Sequence, residues 1–176
     1  AWAASAAVFD SESNNISVET LPYSPKSGGL HPREAAEHMR ESLPIVIGKI
    51  FSQLERPPDT VAFSRGPGLG PCLRLCATSA RALSSTFNVP LVGVNHMLAH
   101  LEIGRHFSNF SSPICLNASG ANAHILGYQN GYYQVLGETM DTGVGNALDK
   151  FSRHVGWTHP GGPKIEKSAT NGSFFD

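Results

Sequence analysis

The sequence predicts an α/β protein, a mixed sheet with flanking helices, on three observations. Short apolar runs alternate with longer helical stretches over residues 31–107. Glycine and proline turns separate these elements. One group of strands precedes the alternating section and a second group follows it, which indicates two lobes. We therefore expect a first lobe over residues 1–112 and the start of a second lobe over residues 113–176.

The first lobe is predicted to begin with a hairpin, with strands over residues 1–9 and 16–21. A long helix is expected to open at His31 and Pro32, because proline suits the first helical turn, and to run to about Leu54. Pro44 lies inside this helix, so we expect the helix to be kinked or split there.

A strand, helix and strand follow, over residues 60–64, 72–87 and 89–94. The Gly/Pro turn at 65–71 joins the first strand to the helix, and such a turn can bind an anion with its backbone N–H groups. It has neither the Gly-Lys-Ser/Thr of a Walker A loop nor Gly-x-Gly-x-x-Gly spacing. We therefore favour a structural role for it.

The second lobe is predicted to start with three strands, over residues 113–118, 123–128 and 132–136. A tight turn at 119–122 joins the first two strands. Asn130 and Gly131 form the strongest short hairpin signal in the chain. Helices are expected over 147–155 and from Lys164 onward.

The composition limits the classes of function. The chain has 176 residues, of which 40% are hydrophobic, so it can bury a core. Its net charge of -1 is not that of an independent nucleic-acid binder, so any nucleic acid needs a local patch or a partner. Cys72, Cys76 and Cys115 lack Cys-x-x-Cys spacing, which predicts reduced thiols in a cytoplasmic protein.

The two ends of the sequence indicate part of a longer protein. The chain starts at Ala1 and Trp2 without methionine, and it stops at residues 174–176 without a closing element. No signal peptide or membrane-spanning stretch is evident, so we expect no membrane partner.

The strongest single chemical feature is a pair of histidines after the strand at 89–94. Asn95 is a good helix N-cap, and His96 and His100 are four residues apart on the helix that it opens. Both imidazoles then leave one face, which is the spacing that lets a metal ion take two nitrogens from one helix. The alternative is two ordinary histidines near a helix start. Met97 stands where a zincin protease has its catalytic Glu, which argues against proteolysis.

Six stretches together are more specific than any one motif. They are residues 28–38 (GGLHPREAAEH), 66–71 (GPGLGP), 93–100 (GVNHMLAH), 119–122 (SGAN), 137–151 (GETMDTGVGNALDKF) and 160–166 (PGGPKIE). In this order they resemble the universal tRNA N6-adenosine threonylcarbamoyltransferase family, and its archaeal and eukaryotic branch more than the bacterial one. The family has the actin-like fold of the sugar kinase superfamily, with ribonuclease H-like lobes.

The resemblance implies an activity and its partners. The family uses a metal to transfer a threonylcarbamoyl group from threonylcarbamoyl-AMP to N6 of the adenosine beside the anticodon of tRNA. The implied cofactors are one divalent metal, iron or zinc, and an adenine nucleotide, as threonylcarbamoyl-AMP or ATP. The implied partners are tRNA and the KEOPS subunits, including a small protein kinase.

The resemblance also implies roles for individual residues. His96 and His100 match the family's metal ligands. The phosphate-binding and nucleoside-binding positions of the family correspond to Ser119, Gly120, Asn122, Asp149, Gly162 and Glu166. Without the resemblance, Asp149 could be a solvated helix charge and Glu166 a first-turn residue favoured by the helix dipole.

The sequence departs from the family at several positions. Asn117 replaces a metal-binding Tyr, and its neutral carbonyl is a weaker ligand. Ala121 adds a methyl group where the family has glycine. His124 could replace the lost ligand, but strand alternation favours a surface position for it.

The family's first strand and its whole later half, with the last metal-binding Asp, are absent from the sequence. Two histidines cannot complete a tetrahedral shell. We therefore expect the chain alone to bind metal weakly, to lack transfer activity, and to aggregate or dimerise through an exposed inter-lobe surface.

Two other functions stay open. The first is a degenerate, non-catalytic scaffold subunit of the same assembly, which Asn117 and Ala121 favour. The second is a sugar or acetate kinase of the same superfamily, which would not need the histidine pair.

Overall fold

The computed structural model describes residues 3–25, 31–170 and 172–173. The chain divides into two compact units, Ala1–Leu98 and Ala99–Asp176. The predicted lobe boundary after residue 112 stays a prediction. Gly28, Gly29 and Leu30 of the first family-like stretch lie outside the described residues, as do the predicted chain ends at residues 1–2 and 174–176.

The first unit opens with the predicted hairpin. Strands β1 (Ala3–Asp10) and β2 (Asn15–Pro22) pair antiparallel, with Asp10 opposite Asn15. The carboxylate of Asp10 accepts hydrogen bonds from the Glu12 N–H at 2.9 Å and the Ser13 hydroxyl at 2.7 Å, which closes the turn.

Helix α1 (Pro32–Phe51) is one helix, so the expectation of a split at Pro44 is wrong. A kink there stays a prediction. Proline cannot donate to the carbonyl four residues earlier, but Pro44 lies on the exposed face, where that carbonyl is not shut off from solvent. The opposite face of α1 packs into the core. Its buried residues are Ala35, Met39, Ser42, Leu43, Val46 and Ile50.

A parallel pair of strands completes the first unit. Strand β3 (Val61–Gly66), helix α2 (Gly70–Phe87) and strand β4 (Leu91–Asn95) form the predicted βαβ unit, with Val61 opposite Leu91. Helix α2 is capped at its C-terminus by Asn88, whose φ of 54° is left-handed, a conformation that asparagine tolerates.

Helix α3 (His96–Ser108) follows β4 directly, and the Leu98–Ala99 boundary between the units falls within it. The side-chain oxygen of Asn95 accepts from the N–H groups of Met97 at 2.9 Å and Leu98 at 3.2 Å. The predicted N-cap is therefore confirmed, and it places His96 in the first turn of the helix.

After the end of α3, the described part of the second unit contains a three-stranded antiparallel meander and two further helices. Its strands are β5 (Ile114–Ala118), β6 (Ala123–Gln129) and β7 (Tyr132–Glu138), and its helices are α4 (Val144–His154) and α5 (Gly162–Ala169). Asn130 and Gly131 have φ values of 52° and 83°, as their predicted hairpin turn requires. Helix α4 begins three residues earlier than predicted.

The predicted α/β class is confirmed, because parallel and antiparallel strand pairs both occur with helices between and after them. In the described residues the strands form sheets of two, two and three strands. No helix in the described part of the chain is long and apolar enough to cross a bilayer.

The core of the first unit gives a stability test. Val46 is completely buried, whereas its neighbour Ile45 is 52% exposed. We expect Val46→Ala to lower the free energy of unfolding by about 2 kcal/mol, because it leaves a cavity. Ile45→Ala is the control and should change it by less than about 0.5 kcal/mol. Urea unfolding of both variants measures the difference, and equal effects would contradict this packing.

Candidate functional site

The histidine pair lies where the sequence predicts it. His96 is the first residue of α3 and is half-buried, and His100 is one turn later and exposed. A helix rises about 5.4 Å per turn, so both imidazoles leave the same side of α3. Neutral imidazole nitrogens suit both iron and zinc.

The histidine pair fits half of a tetrahedral shell. No three His, Cys, Asp or Glu side chains lie close enough to hold a metal ion within residues 3–25, 31–170 and 172–173. A structural zinc site needs four protein ligands, and a catalytic one needs three. The two imidazoles therefore supply suitable donors for an ion but do not define its full coordination.

His124 is not the surface residue that strand alternation favours. It lies directly opposite Asn117 on β5 and Glu138 on β7, so the three share one face of the meander. Its Nε2 lies 3.7 Å from a Glu138 carboxylate oxygen. Its Nδ1 is shielded from solvent and has no hydrogen-bond partner among the described residues.

The tight turn at 119–122 forms as predicted. The Ser119 hydroxyl donates to the carbonyl of Asn122 at 2.8 Å, and the Asn122 N–H donates back to that hydroxyl at 3.2 Å. The Ser119 N–H also donates to the Asn122 carbonyl at 2.9 Å. The turn is therefore closed by its own first and last residues.

This turn is fastened to the start of α4 through its carbonyl groups. The N–H groups of Gly143, Gly145 and Asn146 donate to the carbonyls of Ala121, Ser119 and Gly120 at 3.2, 3.2 and 2.9 Å. These three N–H groups at the start of α4 are therefore not available to bind a phosphate, as they would be at a free helix N-terminus.

The N–H groups of Gly120 and Ala121 have no acceptor in the part of the chain that the structure describes. Both residues are exposed. Two consecutive free N–H groups in a turn can form an anion-binding concavity. The turn itself, and not the helix start, is therefore the candidate anion site.

Sequence reasoning missed the role of two glycines here. A Cβ atom at Gly143 would lie 2.5 Å from the Asn122 nitrogen, and one at Gly145 would lie 2.7 Å from the Gly120 Cα. Only glycine allows this approach of backbone to backbone. The Gly-Val-Gly spacing at 143–145 was the available signal.

Asp149 holds the connection between α4 and α5. One carboxylate oxygen accepts from the Gly161 N–H at 2.8 Å, and the other lies 3.1 Å from His159 Nδ1. Its side chain is only 24% exposed, so Asp149 is not a solvated helix charge. Its predicted contact with a nucleoside stays a prediction.

The Gly161-Gly162 pair has two different surroundings. A Cβ atom at Gly161 would overlap the side chain of Ser152, which is 1% exposed, whereas a Cβ atom at Gly162 would meet no atom within 4 Å. Gly161 therefore packs inward. Gly162 and the exposed Glu166 on α5 remain accessible to a ligand.

Comparison with known proteins gives the family. The chain matches the tRNA N6-adenosine threonylcarbamoyltransferase family model over residues 13–176. The chain belongs to this family. All the candidate residues of this threonylcarbamoyltransferase family member lie within the matched region.

Two relatives illustrate the match. The chain is 63% identical over 176 residues to a probable bifunctional tRNA threonylcarbamoyladenosine biosynthesis protein of Halobacterium salinarum, covering 99% of this chain and 33% of that protein. It is 50% identical to the tRNA N6-adenosine threonylcarbamoyltransferase of Archaeoglobus fulgidus, covering 99% of this chain and 54% of the relative. The family member therefore spans between a third and about half of these two proteins.

Among solved structures, YeaZ from Pseudomonas aeruginosa is similar, with a TM-score of 0.49 and 16% sequence identity. The similarity covers 78% of this chain and 60% of YeaZ.

The two glycines at 161 and 162 give a test of the α4–α5 connection in this family member. We expect Gly161→Ala to lower the free energy of unfolding by about 1–3 kcal/mol, because the added methyl group overlaps Ser152. Gly162→Ala is the matched control and should change little. Adding Ser152→Gly to Gly161→Ala should recover part of the loss. The reverse order of the two alanine variants in thermal unfolding would contradict this packing.

Proposed function

We propose that the natural protein of this sequence transfers a threonylcarbamoyl group from threonylcarbamoyl-AMP to N6 of the adenosine beside the anticodon of tRNA. The single observation that carries the proposal is the family match over residues 13–176. The names of the relatives and the histidine pair on a capped helix support it. In this reaction the N6 amine forms a bond to the carbamoyl carbon, the bond to the phosphate oxygen breaks, and AMP and one proton leave.

The nucleotide half of the substrate is assigned to the second unit. The phosphate would accept from the N–H groups of Gly120 and Ala121, in the turn that Ser119 and Asn122 close. The Glu166 carboxylate would accept from ribose hydroxyls, since a carboxylate is a strong acceptor and Glu166 is exposed. Asp149 would support this pocket by holding the turn before Gly162.

Iron or zinc would be held by His96 and His100, with the Asn117 carbonyl as a weak additional donor. When bound, such an ion polarises a carbonyl and stabilises the negative charge that develops on its oxygen. The N-cap at Asn95 fixes the start of the helix and therefore the backbone position of His96.

Binding of tRNA is supported by the charge of the α4–α5 segment. Residues 150–167 contain four Lys or Arg and one Glu, in a chain whose net charge is -1. All four cations are exposed, namely Lys150, Arg153, Lys164 and Lys167. Because the net charge of the chain does not favour nucleic-acid binding, tRNA binding needs a local basic patch, and this segment is the candidate.

The remaining parts of the proposal rest on the family resemblance. They are assembly with KEOPS subunits, including a small protein kinase, and a cytoplasmic location.

The second candidate function is a non-catalytic scaffold. Asn117 at the position of the family's Tyr favours it, because a neutral amide oxygen is a weaker metal ligand than a phenolate. A scaffold would keep its partners without binding metal.

The metal part of the proposal has a direct test. We expect the full-length protein to carry about one iron or zinc per chain. His96→Ala with His100→Ala should remove it, because two of the donors are then missing. His106→Ala is the control, since His106 is exposed on the same helix and contacts the Phe107 ring. Elemental analysis measures the metal content of the parent, the double variant and the control. A metal-free parent would favour the scaffold function.

The tRNA part is tested by the salt dependence of binding. Replacing Lys150, Arg153, Lys164 and Lys167 by Gln should weaken tRNA binding and make log K less steep against log salt, by about 0.7–0.9 for each phosphate that is no longer neutralised. The control replaces Arg40, Lys49 and Arg56, which already pair with carboxylates of the chain. Equal slopes for the two variants in fluorescence anisotropy would contradict the patch.

A further inference from the structure

The connection between α4 and α5 carries a histidine to which the proposed function gives no role. His159 lies in the turn that follows α4, and its Nδ1 lies 3.1 Å from one oxygen of the Asp149 carboxylate. The other oxygen of that carboxylate accepts from the Gly161 N–H at 2.8 Å. One carboxylate therefore holds an imidazole through one oxygen and the backbone before Gly162 through the other.

The Asp149 carboxylate determines which nitrogen of His159 carries the proton. A carboxylate accepts hydrogen bonds, so the Nδ1 that faces it is the protonated nitrogen. In the neutral imidazole, Nε2 then carries a lone pair and is an acceptor. Among the described residues, no group other than Asp149 forms a hydrogen bond with this ring. The Nε2 of His159 is therefore an acceptor that a ligand can use.

The acceptor that is open to a ligand belongs to the histidine and not to the aspartate. Both oxygens of Asp149 already contact donors of the chain itself. The Nδ1 and Nε2 atoms are on different sides of the imidazole, so a ring whose Nδ1 faces the carboxylate directs Nε2 away from it. The His159 side chain is 29% exposed, which gives solvent and ligands access to it.

A second open acceptor lies on the same segment. Gly162 and Glu166 are four residues apart on α5, so they share one face of that helix. A Cβ atom at Gly162 would meet no atom within 4 Å, and Glu166 is exposed. Because Asp149 bonds to the residue just before Gly162, it places the imidazole of His159 beside the start of this face.

The turn between the two helices does not depend on the imidazole for its shape. The Trp157 N–H donates to the Ser152 carbonyl at 2.8 Å. The Lys164 ammonium donates to the Thr158 hydroxyl at 2.7 Å. A pair of charged side chains at the surface contributes little to folding. Stability is therefore a poor explanation for a histidine at position 159.

We propose that His159 is a nucleoside-binding residue, whose Nε2 accepts a hydrogen bond from a ribose hydroxyl of the adenylate. Asp149 holds the imidazole in the tautomer that this contact requires, and Glu166 accepts from the other hydroxyl. Two acceptors for two hydroxyls select a ribonucleotide over its deoxy analogues. This inference rests on the proposed function, since it assumes that an adenylate binds over Gly162.

The test uses substitutions that separate the two nitrogens of the ring. In His159→Asn the amide nitrogen can take the place of Nδ1 and donate to Asp149, but no atom replaces Nε2. In His159→Gln the longer amide brings an acceptor near the position of Nε2. His154→Asn is the control, because His154 is exposed in the last turn of α4.

The probes are AMP, 2′-deoxy-AMP and 3′-deoxy-AMP, because AMP is a product of the proposed reaction. Their affinities for the full-length parent and each full-length variant are measured by isothermal titration calorimetry. The melting temperature of each protein is measured beside them, so that a loss of folding is distinguished from a loss of contact.

We expect His159→Asn to bind AMP about three- to tenfold more weakly than the parent, the effect of one neutral hydrogen bond. The parent and this variant should bind one of the two deoxy analogues equally, because that analogue lacks the hydroxyl that His159 contacts. His159→Gln should retain more affinity for AMP than His159→Asn. His154→Asn should bind all three nucleotides like the parent.

Three results would overturn the role of His159. Equal affinity of the parent and His159→Asn for AMP would contradict the contact and leave the proposed function intact. An equal loss of affinity for all three nucleotides in His159→Asn would show that the residue supports the pocket without touching the ribose. A parent that binds none of the three nucleotides would contradict the proposed nucleotide site and the role of His159 together.

Discussion

The second unit depends on the backbone hydrogen bonds between the turn at 119–122 and the start of α4. Gly143, Gly145 and Asn146 donate to three successive carbonyls of the turn. Each peptide group has one carbonyl and one N–H group. The carbonyls of the turn bond to the start of α4, whereas the N–H groups of Gly120 and Ala121 have no partner in the described chain. The contact that fixes the turn therefore leaves two adjacent N–H donors that could bind an anion.

The contact between the turn and α4 also determines the positions of Asp149 and of α5. The turn sets the start of α4, and α4 carries Asp149 one and a half turns later. The carboxylate of Asp149 then holds Gly161 and His159, and this fixes where α5 begins. The turn at 119–122 thus positions α4, and α4 in turn positions the start of α5, so the candidate nucleotide-binding residues on these segments depend on one another. In this arrangement Asp149 acts through backbone geometry, even where the family resemblance implies direct contact with a nucleoside.

The elements that were predictable from the sequence are those whose causes are local. Asn95 caps α3 with its own side chain, and Asn130 with Gly131 forms a hairpin turn from its own dihedral preferences. The errors have distant causes. Helix α4 starts early because its first N–H groups bond to residues more than 20 positions away. His124 is partly buried because it lies between Asn117 and Glu138 on the neighbouring strands. The continuity of α1 through Pro44 depends on which face of the helix meets water, and the partners of Asp149 come from a later turn.

The contact between Gly161 and Ser152 also limits which substitutions this chain can accept. The two positions share a volume that holds one side chain, and the Asp149 carboxylate lies against the same glycine. A larger residue at 161 requires a smaller one at 152, and a change at 149 removes the acceptor that keeps Gly161 in place. We therefore expect the effects of substitutions at these three positions on stability to be non-additive, because the side chains share one volume and one hydrogen bond.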